Sequence, residues 1–278
     1  MKNSEDKSKV PARVHILLAR DSAIAVAIRR GPSKSVCTVL WDRANDAFNV
    51  GQWMRGRIYE RRSDISPDGK HLIYFAMNGH WDSETKGSWT AISKVPFLKA
   101  ATLYPKGDCW FGGGLFTRNN QYWLNQDSNT VKCDTLNLRL DSTFAPPAYG
   151  SECTSVYYVR LQRDGWRLID RRRFTPSHEA TVFEKALAYG WTLRKFAHES
   201  SAGRAKGRGC YWDDHELERE GLKEPRFEWE WAEGDASTLF WISRGRLFRG
   251  SLSAEGLQDE KLLFDFTPME FEAIKAPY

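Results

Sequence analysis

The hexapeptide His71–Ala76, His-Leu-Ile-Tyr-Phe-Ala, follows closely on Ser66-Pro67-Asp68-Gly69, and this turn and strand restrict the fold more than any other stretch. Proline presets φ at the first corner, Asp68 tolerates the second, and Gly69 leaves the turn without a Cβ clash. The strand then puts Ile73 and Phe75 on one side and Leu72, Tyr74 and Ala76 on the other. Both sides are largely apolar, so both must be covered. Sheets stacked face to face meet that requirement; a single sheet with one wet face does not.

The same unit of short strand, turn and strand recurs along the chain. His15–Ala19, Ala23–Ile28, Val36–Trp41 and Phe48–Trp53 form a first set of strand candidates, and Ile58–Ile65, His71–Ala76, Ser88–Ser93 and Leu98–Tyr104 a second. Cys109–Phe116, Tyr122–Asn125 and Cys133–Leu140 suggest a third. Val156–Leu161, an Asp164-Gly165 hairpin signal, Trp166–Arg172 and a last pair around Tyr189-Gly190 suggest a fourth. Phe227–Ala232, Thr238–Ser243, Leu247–Leu252 and Leu262–Phe266 suggest a fifth. The first turn of each set falls at Asp21, Asp68, Asn119, Asp164 and Asp235, in steps of 47, 51, 45 and 71 residues. The three short steps are near the period of propeller blades. The long one is read as an insertion near 198–225, with a basic glycine-rich loop, Gly203–Gly209, and a short helix around Asp214–Glu220. Ala180–Tyr189 carries Val182, Phe183, Ala186 and Leu187 at helical spacing, so helix and strand both remain open there.

Composition agrees with an all-β chain. Twelve Trp, 15 Phe and 10 Tyr supply a core from residues that suit pleated sheets. Residues 13–278 are expected to form one domain behind a solvated tail, Met1–Ala12. Cys37, Cys109, Cys133, Cys153 and Cys210 form no Cys-x-x-Cys pair, which favours reduced, buried thiols over a disulfide framework or a zinc site. Val14–Leu18 is too short and interrupted for a signal peptide, and no stretch approaches the ~20 apolar residues of a membrane span. A cytoplasmic location is expected. The net charge of +5 is mild, so a nucleic-acid partner is not expected.

Asp64-Ile65-Ser66-Pro67-Asp68-Gly69-Lys70 with Leu72-Ile73-Tyr74 resembles the repeat of WD40-type and TolB-like β-propellers, and Trp41-Asp42 resembles the WD dipeptide of a later strand. No second Ser-Pro-Asp-Gly occurs, so the resemblance is to a divergent member. It implies five four-stranded blades, with six also possible, around a channel, usually without catalysis. A partner would sit on the loops at one face. In such rings the termini commonly share a blade, which would set Val14–Leu18 beside the last strand.

The loops opposite the Asp68 turn contain Arg29, Arg30, Lys34, Arg55, Arg57, Lys106, Arg171, Arg172 and Arg173. Their common sign suits an acidic protein surface, whereas nearby Asp42, Glu60 and Asp170 would neutralise them if the loops do not converge. His80 and Trp81 in a polar loop offer a further contact. Asp213-Asp214-His215-Glu216 holds ligand-type side chains, but consecutive residues of a strand or helix do not converge on one ion. Gly112-Gly113-Gly114 lacks the Gly-Lys-Ser/Thr of a phosphate loop and reads as close backbone approach. Neither a Gly-x-Ser-x-Gly elbow nor a His-Glu-x-x-His helix occurs. The expected function is a non-enzymatic β-propeller scaffold that binds another protein through the basic loops, without a cofactor or metal. The alternative is a propeller hydrolase or lyase with its site at the mouth of the channel.

Overall fold

The computed structural model describes residues 11–31, 34–126, 130–175, 177–201 and 209–278. The tail through Val10 and the loop 202–208 lie outside them. The first sheet takes four strands in sequence order: β1 (Arg13–Leu18), β2 (Ile24–Arg30), β3 (Ser35–Asp42) and β4 (Ala47–Arg55). The second takes β5 (Arg57–Ile65), β6 (His71–Met77), β7 (Ser88–Lys94) and β8 (Thr102–Pro105). The third holds β9 (Gly114–Arg118) and β10 (Gln121–Leu124). Two short pieces follow: β11 (Cys133–Asp134) returns to the edge of the second sheet, and β12 (Arg139–Leu140) joins the third. After helix α1 (Thr154–Arg163), the fourth sheet runs β13 (Arg167–Thr175), β14 (His178–Ala186), β15 (Thr192–Ser200), β16 (Tyr211–Arg219) and β17 (Leu222–Arg226). The fifth runs β18 (Trp229–Asp235), β19 (Thr238–Ser243), β20 (Arg246–Ser253) and β21 (Gly256–Asp265).

The doubly apolar strands meet neighbours on both sides, as their pattern requires. Leu72 and Tyr74 of β6 join a core with Val26 and Ile28 of the first sheet, while Ile73 packs with Phe116 and Tyr122 of the third. The first sheet also packs on the fifth, where Trp41 meets Phe240 edge to face. The fourth and fifth share a core with α1, built on Tyr157, Tyr158, Trp166 and Trp241. The sheets therefore stack in the order fourth, fifth, first, second, third. Among the described residues β1 pairs only with β2, so the first sheet and the fifth touch there without sharing a strand.

The Ser66–Gly69 turn has the conformation its residues predict, and the structure gives it a second role. Ser66 Oγ accepts from the His71 and Lys70 amides, and Gly69 takes φ +77°. The Asp21 amide donates to Pro67 O, and the Asp68 amide donates to Asn119 Oδ1. Three hairpin turns of three adjacent sheets are thus linked to one another.

Several expectations are corrected. Val156–Leu161 belongs to α1 and not to a strand, because Thr154, Tyr157, Tyr158 and Leu161 fall on one buried stripe. Asp164-Gly165 closes that helix instead of turning a hairpin. The Gly165 amide donates to Gln162 O and the Trp166 amide to Leu161 O, with Gly165 at φ +91°, which is the hydrogen-bond pair of a glycine C-cap. The helix expected around Asp214–Glu220 is strand β16, so the segment read as an insertion completes the fourth sheet. Ala180–Ala186 is strand, paired on both edges. Its buried run of Ala180, Thr181, Val182 and Phe183 reflects cover on both faces and not a helical stripe. Cys133–Leu140 is not one strand but two short pieces in different sheets. All five thiols are unpaired, though only Cys37 and Cys153 are buried.

Candidate functional site

Gly56 separates β4 from β5 and lets the chain pass from the first sheet to the second in one step. Its amide donates to Lys34 O, and a Cβ there would lie 2.7 Å from Met77 O. This close crossing brings the starts of β1, β3 and β5 and the end of β2 around a cleft of about 710 Å³. Its described lining holds Arg13, Arg30, Lys34 and Arg57 and no carboxylate. Trp81, 51% exposed, forms a wall and rests its ring on Gly87, where a Cβ would have met it at 2.5 Å. Behind the lining, Glu60 pairs with Arg30 at 2.5 Å, and the Arg57 guanidinium sits 4.5 Å from the Tyr59 ring. Arg57 Nε is buried and has no hydrogen-bond partner among the described residues.

The structure thus gathers Arg30, Lys34, Arg57 and Trp81 of the sequence candidates, adds Arg13, and disperses the rest. Arg29 is buried and serves the chain itself, donating to Phe266 O and Met269 O and lying over the Trp53 ring. Arg55 lies over Phe271, and Lys106 is paired with Asp108. His80 is exposed next to Trp81 but does not line the cleft. Arg171, Arg172 and Arg173 stand on β13, where Glu179 and Asp170 face them at 3.2 to 4.0 Å. Reading loops by sign alone could not separate these groups, because pairing depends on strand register.

A second arrangement lies in the interior, around His15 of β1 and Arg61 in the middle of β5. Arg61 of β5 donates to Asp213 Oδ1 at 2.7 Å, and its guanidinium lies 4.7 Å from each of the Tyr157 and Tyr211 rings. Tyr157 of α1 donates its hydroxyl to Asp213 Oδ2 at 2.5 Å. Lys195 Nζ lies 3.9 Å from the same carboxylate oxygen and 3.1 Å from His215 Nε2. His215 Nδ1 donates to Trp229 O, which leaves Nε2 to accept from the lysine. Arg160 similarly donates to His15 Nε2 at 2.9 Å, since a guanidinium cannot accept.

These contacts set the protonation states. Burial alone would push Asp213 up, but Arg61 and then Lys195 more than offset it and hold its carboxyl well below the usual range. Burial, reinforced by Lys195, pushes His215 down to about 3. Burial and Arg160 likewise hold His15 well below its ordinary value. Lys195 is lowered by burial, partly offset by Asp213. The interior therefore contains neutral imidazoles beside cations, with one ionised carboxylate among them.

Sequence reasoning found Asp213 and His215 only as metal donors. Alternation along β16 explains the outcome: Asp213 and His215 point inward, while Asp214 meets His198 and Glu216 meets Arg194 on the other face. Among the described residues, no group of three or more His, Cys, Asp or Glu is placed to hold a metal ion. His15, Arg61, Tyr157, Arg160 and Lys195 carry no local motif, being contributed by four separate elements. Gly113 fits the close-approach reading, since a Cβ would fall 1.8 Å from Arg62 O.

The fold and cleft define an all-β protein of five stacked sheets with a basic cleft on one face. No protein-family profile matches the chain, and no curated protein matches it. Among solved structures, a chain of Kuenenia stuttgartiensis Hydrazine Synthase is similar at 10% identity, over 90% of this chain and 80% of that chain, with a TM-score of 0.31. No helix of the described residues is long and apolar enough to cross a membrane.

Proposed function

We propose that the five sheets are the blades of a β-propeller, and that the protein is a non-enzymatic scaffold holding an acidic segment of a protein partner in the Arg13, Arg30, Lys34 and Arg57 cleft. One observation carries this reading: four cations line the cleft without a carboxylate among its described residues. Trp81 adds a partly exposed ring of the type that anchors interfaces. The test uses a fluorescent poly-glutamate peptide. Reversing two charges with Lys34→Glu and Arg57→Glu is expected to weaken binding at low salt by about tenfold or more, at about 1 kcal/mol per exposed pair. Reversing Arg171 and Arg172, which already have carboxylate partners, is expected to change it little. Equal losses from both pairs would remove the cleft from consideration.

The alternative reading, a hydrolase or lyase with its site at the mouth of the central channel, is supported by the Lys195, Tyr157, His15 and Asp213 set beside an interior cavity. Turnover of ester or glycoside substrates that is abolished by Lys195→Met would favour it over the scaffold.

A further inference from the structure

The interior cavity has a volume of about 550 Å³ and opens at the ends of β1, β14 and β18, away from the basic cleft. That volume suits a small molecule. Its lining carries six cations, Arg20, Arg43, Arg160, Arg163, Lys185 and Lys195, against four carboxylates. The carboxylates are largely committed. Asp64 takes both Nη atoms of Arg163, Asp164 takes Arg163 Nε, and Glu233 is held by Lys185 and the Trp166 indole. Asp235 remains at the mouth, where Arg20 and Arg43 also lie.

The floor is different. Arg160 donates to Glu60 O, Ser63 O and His15 Nε2, and no carboxylate of the described residues lies within ion-pair distance of it. Lys195 gives one hydrogen bond to neutral His215, and its nearest carboxylate oxygen, 3.9 Å away, is already shared by Tyr157. Each cation therefore retains donors, since a guanidinium has five N–H groups and an ammonium three. Two buried cations facing one cavity without full compensation are costly unless something anionic joins them. Leu18, Leu161, Trp231 and Phe240 supply apolar wall between floor and mouth.

We propose that this cavity binds a small anion, a carboxylate or phosphoryl group carried on an apolar body, with the charged head at Arg160 and Lys195. Lowered protonation of His15 fits the same site, because a neutral imidazole adds no third charge and leaves Arg160 oriented. The inference stands on the cavity alone and is independent of the basic cleft and of turnover.

Isothermal titration with benzoate and with phenyl phosphate, each against sodium chloride of matched ionic strength, tests it. One site per chain is expected, and the tighter of the two probes identifies the head group. Lys195→Met is expected to weaken binding roughly 10- to 100-fold through the loss of a charge-assisted hydrogen bond. Should that variant not fold, Ala186→Trp decides, because Ala186 is exposed at the rim and a large ring there fills the opening without entering the core. Lys34→Glu with Arg57→Glu is expected to leave affinity unchanged. The proposal is overturned by heats no larger than those of chloride, by binding that Ala186→Trp does not alter, or by binding that the cleft reversal removes.

Discussion

Replacing Asp213 by Asn removes one charge from the interior while keeping the shape of the side chain, and should be among the most damaging single changes in the molecule. At an effective dielectric constant of about 20, a unit charge 2.7 Å from Arg61 is worth about 6 kcal/mol, and one 3.9 Å from Lys195 about 4 kcal/mol. Neither is a net stabilisation, because burying the three groups has cost much of it. The variant recovers only the desolvation of the carboxylate and leaves two cations buried, the situation for which losses of about 3–5 kcal/mol are typical. The Tyr157 hydroxyl can still donate to the Asn oxygen, so that bond moderates the loss. Urea unfolding followed by circular dichroism at pH 7 reads it directly, and a thermal scan should show a fall of roughly 6 to 15 °C. Asp170→Asn, which breaks an exposed 3.2 Å pair with Arg172, provides the contrast and should cost less than about 1 kcal/mol. A loss below about 1 kcal/mol for Asp213→Asn would refute the argument. So would strict additivity of Asp213→Leu and Arg61→Met, since the pair should be cheaper to remove together than separately.

Acid sensitivity follows from His215, whose folded value is depressed to about 3: its contribution is present above about 6.5 and is lost as pH falls toward 3, by up to about 1.4 kcal/mol per pH unit. Glu230, pushed up to about 7 by burial, has the opposite sign between its usual range and 7, so the slope is read as the difference between the parent protein and His215→Gln in thermal scans from pH 7 to 4. Parallel curves would contradict the assignment. Gly113→Ala should destabilise by at least about 2 kcal/mol in urea, since φ is +76° and the new Cβ would fall against Arg62 O; a neutral result would mean that the backbone shifts freely there. Gly165→Ala, with φ at +91° in the α1 C-cap, should cost about 1 kcal/mol by the same assay, and an unchanged midpoint would count against the C-cap described for α1.

The basic cleft shows how far loop chemistry can be read before folding is known. Arg30, Lys34 and Arg57 share a sign with Arg29 and Arg171, yet only the first three line the cleft. Arg29 turns inward to bind the carbonyls of Phe266 and Met269, more than two hundred residues away in sequence. Arg171 finds Glu179 because the β13 and β14 register sets them near each other. No local pattern contains that information.

What the chain alone determined was the unit. Turn residues and period-two apolarity depend on local sterics, so the Ser66–Gly69 turn, the doubly covered β6 and the set of stacked sheets were legible from residue types. In two other segments tertiary packing overrode what the residue types suggest. Val156–Leu161 suits strand by its β-branched and aromatic residues, but becomes a helix because one stripe, Tyr157, Tyr158 and Leu161, is buried against the fourth and fifth sheets. Asp214–Glu220 suits a helix by charge, but it is strand through Arg219 because β15 and β17 bond both edges of β16. The interior of Arg61, Asp213, Lys195 and His15 was decided only by tertiary structure. Each residue reads as an ordinary polar residue in its own element, and the energy that couples them acts through distances of a few ångströms across chain separations of up to 152 residues.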